Sequence, residues 1–245
     1  MKTDSNTVLI TGGASGIGFA LAEKFLQAGN TVIICGRRVE KLQEAKTRHP
    51  RLHTFLCDVA DPEERVALYV RTTRDFPDLN VVVNNAGIQQ RIPLRTMPAW
   101  EAMRQELAIN LDAPIHLSAL FIPHLEKKRD AAIVNVTSGL AFSPLANVPV
   151  YSATKAALRS FTLSLRHQLA GTSVSVVEII PPAVDTDLGG VGLHTFGAPL
   201  NTFTDSIWEQ LRQGSQEAAY GMSADASRAS REQLDVMFKR MNPAA

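Results

Sequence analysis

Tyr151 and Lys155 stand four residues apart in a stretch, Val150 to Leu169, whose apolar residues recur at helical spacing. A separation of four brings both side chains to one face of a helix. A phenol beside an ammonium is acid–base chemistry: a tyrosine ordinarily ionises near pH ~10, and a neighbouring positive charge favours its phenolate. Taken alone, the pair also fits two surface side chains. The residues before it add weight. Ser138 lies thirteen positions upstream, just past the apolar run 131–136, where a hydroxyl can hold a carbonyl or alcohol oxygen beside the phenol. Asn110 falls between Ile109 and Leu111 in a second helical stretch, Ala99 to Leu120. The plain reading of such a residue is a core amide with its hydrogen bonds made.

A binding turn opens the chain. Thr11-Gly12-Gly13-Ala14-Ser15-Gly16-Ile17-Gly18 follows the β-branched run 7–11 and leads into a helical segment from about Phe19 to Ala28. Residues without a β-carbon let backbone approach a ligand closely. The free N–H groups and positive end of the helix then suit a pyrophosphate. A glycine-rich turn without a ligand is the competing reading, and the strand-then-helix context speaks against it. Gly12, Gly16 and Gly18 make Gly-x-x-x-Gly-x-Gly, a spacing distinct from Gly-x-Gly-x-x-Gly.

The second run ends Cys35-Gly36-Arg37-Arg38. NAD-selective sheets carry a carboxylate near this point for the ribose 2′-hydroxyl. Here glycine stands in its place, and two guanidinium forks suited to a 2′-phosphate follow. The expected cofactor is therefore NADP (NADPH), with Arg37 favoured over Arg38 because it is closer to the strand end. Solvated arginines at a helix start are the plainer alternative. The third run leads to Asp58-Val59, where a bare Asp is equally a helix N-cap. The fourth leads to Asn84-Asn85-Ala86-Gly87, whose amides can satisfy strand-end backbone groups.

These residues need a frame. Six continuously apolar runs (7–11, 31–35, 53–57, 81–84, 131–136 and 173–180) alternate with helical patterns. Continuous rather than alternating apolarity marks strands covered on both faces. The expected fold is α/β: a doubly wound, Rossmann-like parallel sheet with helices on both faces. Residues 1–245 read as a single domain, with an irregular substrate lid at about 187–205 and a helix over 223–241. Leu234, Met237, Phe238 and Met241 form one stripe of that helix, placed to cover a sheet edge or a partner chain.

Thr11 to Gly18, Asn84 to Gly87, Asn110, Ser138, and Tyr151 with Lys155 resemble, in order and spacing, the motifs of short-chain dehydrogenases/reductases over roughly residues 5 to 190. The resemblance implies a Ser-Tyr-Lys-Asn proton relay. Tyr151 would be the acid in carbonyl reduction and the base in alcohol oxidation. Lys155 would lower the tyrosine pKa and hold the nicotinamide ribose. Ser138 would polarise the carbonyl, and Asn110 would anchor a water that links Lys155 to solvent. It further implies cofactor contacts from Asp58 and Val59 to adenine, from Asn85, Ala86 and Gly87, and from Pro181, Val184 and Thr186 near the carboxamide. The partner would be a small or moderately apolar alcohol or carbonyl compound. The segments 99–120 and 150–169, which the family pairs across a two-fold axis, point to a homodimer or homotetramer.

Two features depart from the family pattern. Pro181-Pro182 replaces the usual Pro-Gly, which stiffens the loop because proline fixes φ. No Val-Asp-Gly-Gly strand follows a Gly-Gln, although a short seventh strand near Glu217 to Gly221 fits the pattern. Pro-Pro-Ala-Val-Asp-Thr and the Met241-Asn242 ending are similar to a branch named after an oxidoreductase of a D-alanyl-lipoteichoic acid operon.

Composition narrows the alternatives. Lys plus Arg number 25 against 24 for Asp plus Glu, so no basic surplus attracts nucleic acid or an anionic membrane surface. No apolar run reaches the roughly 20 residues that span a bilayer, and the polar start shows no signal peptide. Cys35 and Cys57 read as buried thiols of a reducing, cytoplasmic compartment. The six histidines show no metal spacing, so no metal is expected. A non-catalytic NADP(H)-sensing protein on the same fold is the second reading, and the complete proton relay argues against it. A nucleotide-sugar epimerase is the third, for which the chain is short.

Overall fold

The computed structural model describes residues 1–243. The six apolar runs form β1 (Thr7–Thr11), β2 (Thr31–Gly36), β3 (His53–Leu56), β4 (Leu79–Asn84), β5 (Ala131–Val136) and β6 (Val174–Ile180). A seventh strand, β7 (Glu217–Ala219), joins them, and all pair in parallel in the order β3-β2-β1-β4-β5-β6-β7. Parallel neighbours require crossover connections, so helices cover both faces. Every residue of β4 and β5 is buried.

Successive strand residues point to opposite faces. Ile10, Ile34, Val83 and Val134 face one core with α1 (Gly16–Gln27), whose Leu21 and Phe25 pack there. Leu9, Ile33, Val82 and Ile133 face the other core. Between them, α2 (Val39–Arg48) and α3 (Pro62–Asp75) make the first crossovers. The chain passes from β1 outward to β3, then returns to the other side of β1 as β4. The strand ends diverge at that reversal, which is where open α/β sheets hold ligands.

The segment Ala99 to Leu120 is not one regular helix. It divides into α4 (Trp100–Leu107) and α5 (Ala113–Leu125), joined by a π-helical turn over Ala108–Asp112. The wider turn accommodates one extra residue and turns Asn110 inward to 1% exposure. Local spacing carries no sign of this, because the π turn is stabilised by partners outside the helix.

After β5 come α6 (Pro149–Gln168) and, past β6, an irregular segment over 187–199. The lid expected over about 187–205 is thus shorter. α7 (Leu200–Arg212) begins at Leu200, and Phe203, Ile207 and Leu211 lock it into the core beside Phe25. Trp208 packs edge-on against Phe25, at 4.9 Å between ring centres. α8 (Met222–Ala226) and α9 (Arg231–Met241) complete the described chain.

The short β7 is held by charge. Its Glu217 lies in register beside Glu178 of β6, and α6 supplies the neutralising cations. Arg159 pairs with Glu178 and lies 3.4 Å from Glu217, while Arg166 lies 3.3 Å from Glu217. Burial pushes the Glu178 pKa up; the Thr137 hydroxyl, which donates to Oε1 at 2.6 Å, and Arg159 pull against that rise. Both cysteines are buried and free. Among the described residues no helix is long and apolar enough to cross a membrane.

Removing one partner of a buried ion pair strands the other charge. Arg159→Met should therefore destabilise the fold by about 3 kcal/mol in urea denaturation.

Candidate functional site

A cleft of about 1460 Å³ runs along the carboxyl ends of the strands, from the α1 turn to α9. Its floor is made by contacts that leave no room for side chains. An added β-carbon at Gly18 would lie 2.3 Å from Asn85 Nδ2 and 2.5 Å from Gly12 O. Gly12 has φ +63° and presses on Ala86, where an added β-carbon would lie 2.9 Å from Cα. A polar clamp holds this approach. Thr11 Oγ1 accepts hydrogen bonds from Asn85 N and Ala86 N, both at 3.0 Å, and Asn85 Nδ2 donates to Thr11 O at 3.0 Å. Ala14, Ser15, Gly16 and Ile17 then line the cleft at the start of α1, where backbone donors have no helical acceptor. The donor set suits a pyrophosphate.

At the far end, Gly36, Arg37, Arg38, Asp58 and Val59 line the cleft. A β-carbon at Gly36 would meet nothing within 4 Å, so the strand end leaves open space where a carboxylate would otherwise stand. The arrangement fits a 2′-phosphate. The two arginines take different partners. Arg38 reaches across the turn and donates to Ser15 Oγ at 2.8 Å, whereas Arg37 faces Asp58 at 3.9 Å. Arg38 starts α2, and its backbone points the side chain back toward α1; distance along the chain does not report this.

Ser138, Tyr151, Lys155 and Asn110 converge where β5 ends. Ser138 Oγ accepts from Leu140 N at 3.1 Å, which orients the hydroxyl and leaves its proton to donate. Lys155 Nζ donates to Val136 O at 2.8 Å and lies 5.6 Å from the Tyr151 ring centre. Asn110 Oδ1 accepts from Ile88 N at 2.9 Å, and its Nδ2 donates to Ile88 O at 2.8 Å and Thr154 Oγ1 at 3.3 Å. Its side chain is therefore a satisfied core amide that fixes the segment after β4. A β-carbon on Gly87 would stand 3.4 Å from Asn110 Oδ1 and 3.7 Å from Lys155 Nζ.

Burial governs the titrations here. It pushes the Tyr151 phenol up to about 12, with the Ser138 hydroxyl pulling against the rise. It lowers the Lys155 ammonium to about 8, opposed by the charge of Glu106. The ammonium alone thus does not depress the phenol in this structure, because desolvation outweighs attraction. Glu106 itself is fully buried and pushed up to about 7 by desolvation. Sequence reasoning passed over it; its signal was a charge at helical spacing from Ala102, Met103 and Ile109, one turn before Asn110.

The segment after β6 closes over the site. Gly139 N donates to Pro181 O at 2.9 Å, and Thr186 packs over Gly16. Paired bonds at Ala183–Ala198 and Asp185–Ala198 tie the neck of the irregular segment, placing Val184 beside Ala198. At its tip, a β-carbon on Gly189 would lie 3.1 Å from Gln89 O, so the segment spans the cleft. The outer wall comes from α9. Met237 and Met241 line the cleft, and Asn242 latches the helix by accepting from Ala146 N at 2.6 Å and donating to Pro144 O at 3.0 Å. Among the described residues no cluster of metal-ligating side chains occurs.

Comparison with known proteins places these features in context. A family model described as short chain dehydrogenase matches residues 6–192. The Bacillus subtilis (strain 168) protein named uncharacterized oxidoreductase DltE is 49% identical over 99% of this chain and 98% of its own, a resemblance to that branch. The NADP-dependent 3-hydroxy acid dehydrogenase YdfG of Escherichia coli (strain K12) is 31% identical over 72% of each chain. A short chain dehydrogenase from Burkholderia cenocepacia J2315, solved in complex with NADP, is 26% identical. It superimposes with a TM-score of 0.84 over 97% of this chain and 99% of its own.

Gly18→Ala tests the floor of the cleft. It should weaken binding of a reduced nicotinamide dinucleotide at least about tenfold in a fluorescence titration while circular dichroism stays unchanged. An unaltered Kd would mean that the α1 turn does not carry the ligand.

Proposed function

The chain belongs to the short chain dehydrogenase family, and on that footing we propose that it interconverts an alcohol and its carbonyl compound using NADP(H). The observation that carries this reading is the convergence of Tyr151, Ser138 and Lys155 beside the cleft that begins at the α1 turn. Gly12 to Gly18, Asn85, Ala86 and Gly87 would hold the dinucleotide. Arg38 and Arg37 would take its 2′-phosphate in the open space by Gly36, and Asp58 and Val59 would border the adenine. Pro181, Val184 and Thr186 would flank the nicotinamide. The bound cofactor supplies or accepts the hydride.

The chain's own groups move the proton. In reduction, Ser138 donates a hydrogen bond to the carbonyl oxygen and Tyr151 gives that oxygen its proton; in oxidation Tyr151 accepts it back. A phenol pushed up to about 12 is fully protonated at neutral pH, the form that reduction needs. Lys155, charged below about 8, would hold the ribose and stabilise the phenolate left behind. Asn110 holds the Ile88 segment in place beside Lys155. The same family reading implies assembly of like chains through α5 and α6, where Ile115 and Leu163 remain exposed.

The substrate end favours an uncharged compound. Beyond Ser138 the cleft is walled by Leu140, Leu145, Phe196, Met222, Met237 and Met241. Its Lys and Arg residues (Arg37, Arg38, Lys41 and Arg48) stand at the adenosine end, apart from Lys155; the basic group near the substrate is the imidazole of His194. Apart from that imidazole, a carboxylate set among these thioethers and alkyl groups finds no cationic partner and loses its hydration.

NADPH should bind at least about tenfold more tightly than NADH, and Tyr151→Phe should abolish ketone reduction while NADPH affinity stays within about twofold. Turnover retained in that variant removes the phenol as the acid. Between a β-oxoester and the free β-oxoacid of the same carbon chain, the ester should show about a hundredfold higher kcat/KM.

A further inference from the structure

Glu106 is a fully buried carboxylate that the proposed reaction does not use. Its Oε1 accepts from Gln90 N at 3.0 Å, and Gln90 Nε2 returns a hydrogen bond to Ala102 O at 2.9 Å. Its Oε2 is buried with no partner among the described residues. An enclosed carboxylate with an oxygen unbonded is costly unless a positive charge stands near. One turn later on the same side, Asn110 grips Ile88 through both N–H and C=O. Glu106 and Asn110 thus hold alternate residues of the segment Ile88–Gln90, and Gly87 at its head lies against the Lys155 ammonium.

The groups that act on this carboxylate are few. Lys155 of α6 attracts it, and the backbone N–H of Gln90 is its hydrogen-bond donor. In return Glu106 opposes the fall of the Lys155 pKa and adds to the rise at Tyr151. Among the described residues Lys155 has a single hydrogen bond, to Val136 O, so a second source of stabilisation for its charge matters.

We propose that Glu106 is a positioning residue: its buried carboxylate keeps Lys155 protonated through the working pH range, and its hold on Gln90 keeps the Gly87–Gln90 segment against that ammonium. The inference rests on the oxidoreductase reading above for its kinetic consequence, but the charge coupling stands without it. Burial pushes Glu106 up to about 7 and lowers Lys155 to about 8, so both are charged only around and between those values. Without the carboxylate, the ammonium loses its proton at lower pH.

The test compares the wild type, E106Q, E106D and K155M. Gln keeps the shape and the bond from Gln90 N but removes the charge. The alkaline limb of kcat/KM for ketone reduction should move about one pH unit lower in E106Q and return to the wild-type position in E106D. A purely structural role would scale the whole profile without moving that limb. In the apoprotein, a double-mutant cycle of E106Q with K155M at about pH 7.5, read by urea denaturation, should show at least about tenfold coupling in the unfolding constant. Superimposable pH profiles for wild type and E106Q, or an additive cycle, would overturn the proposal. If E106Q does not fold, an alkaline limb in E106D displaced as far as one unit would overturn it as well, since that variant retains the charge. A wild type that binds NADPH yet reduces no ketone would sink the oxidoreductase reading, and the cycle alone then decides this one.

Discussion

An ammonium enclosed by protein is the constraint around which the site is arranged. Lys155 is 4% exposed and bonded to one carbonyl, at the end of β5. Burial removes the hydration that would stabilise its charge, so nearby groups must replace water. The carbonyl of Val136 does so directly, and the carboxylate of Glu106 does so through space. The result is a lysine poised close to neutrality, beside a phenol that the same enclosure keeps protonated. Acid–base chemistry at neutral pH needs both conditions at once.

Such an arrangement tolerates little movement, and the scaffold supplies rigidity from several directions. Thr11 and Asn85 lock the α1 turn to the end of β4 through short polar contacts, which is why Gly12 and Gly18 have no room for a β-carbon. The π turn aims Asn110 at Ile88, fixing the segment that separates the two buried charges. On the far side, Glu178 ties Thr137, the neighbour of Ser138, to Arg159 and so to α6. Each support joins an element of one strand end to an element of the next. The geometry around Lys155 is thus a property of the sheet edge as a whole.

The substrate end is built by different rules. Its walls are apolar, its cover is a segment tied only at the neck between Ala183 and Ala198, and its outer side is a helix latched by Asn242. Val191 and Phe196 at the tip stand largely exposed, and no residue of α9 is buried. Few buried contacts mean low local stability, the condition under which a cover can open and close. The proposed reaction would therefore divide chemistry and selectivity between a rigid floor and a lightly held roof.

Much of this was legible in the residues alone. Continuous apolar runs specify buried parallel strands because both faces are covered, and glycine at Gly12 and Gly18 marks close backbone approach because no other residue fits. Tyr151 and Lys155 share a face because helical geometry is local. The tertiary structure decided what locality cannot. It set Arg38 against Ser15 and Arg37 near Asp58, widened the helix at Asn110, and began α7 at Leu200, while the short seventh strand near Glu217 was already legible in the residues. Above all it buried Glu106 of α4 against the Gly87–Gln90 segment whose head lies by Lys155 of α6, an arrangement that depends on packing across the sheet edge. Spacing along a chain reports the first kind of relation, since it depends on backbone geometry; only burial and the angles between elements determine the second.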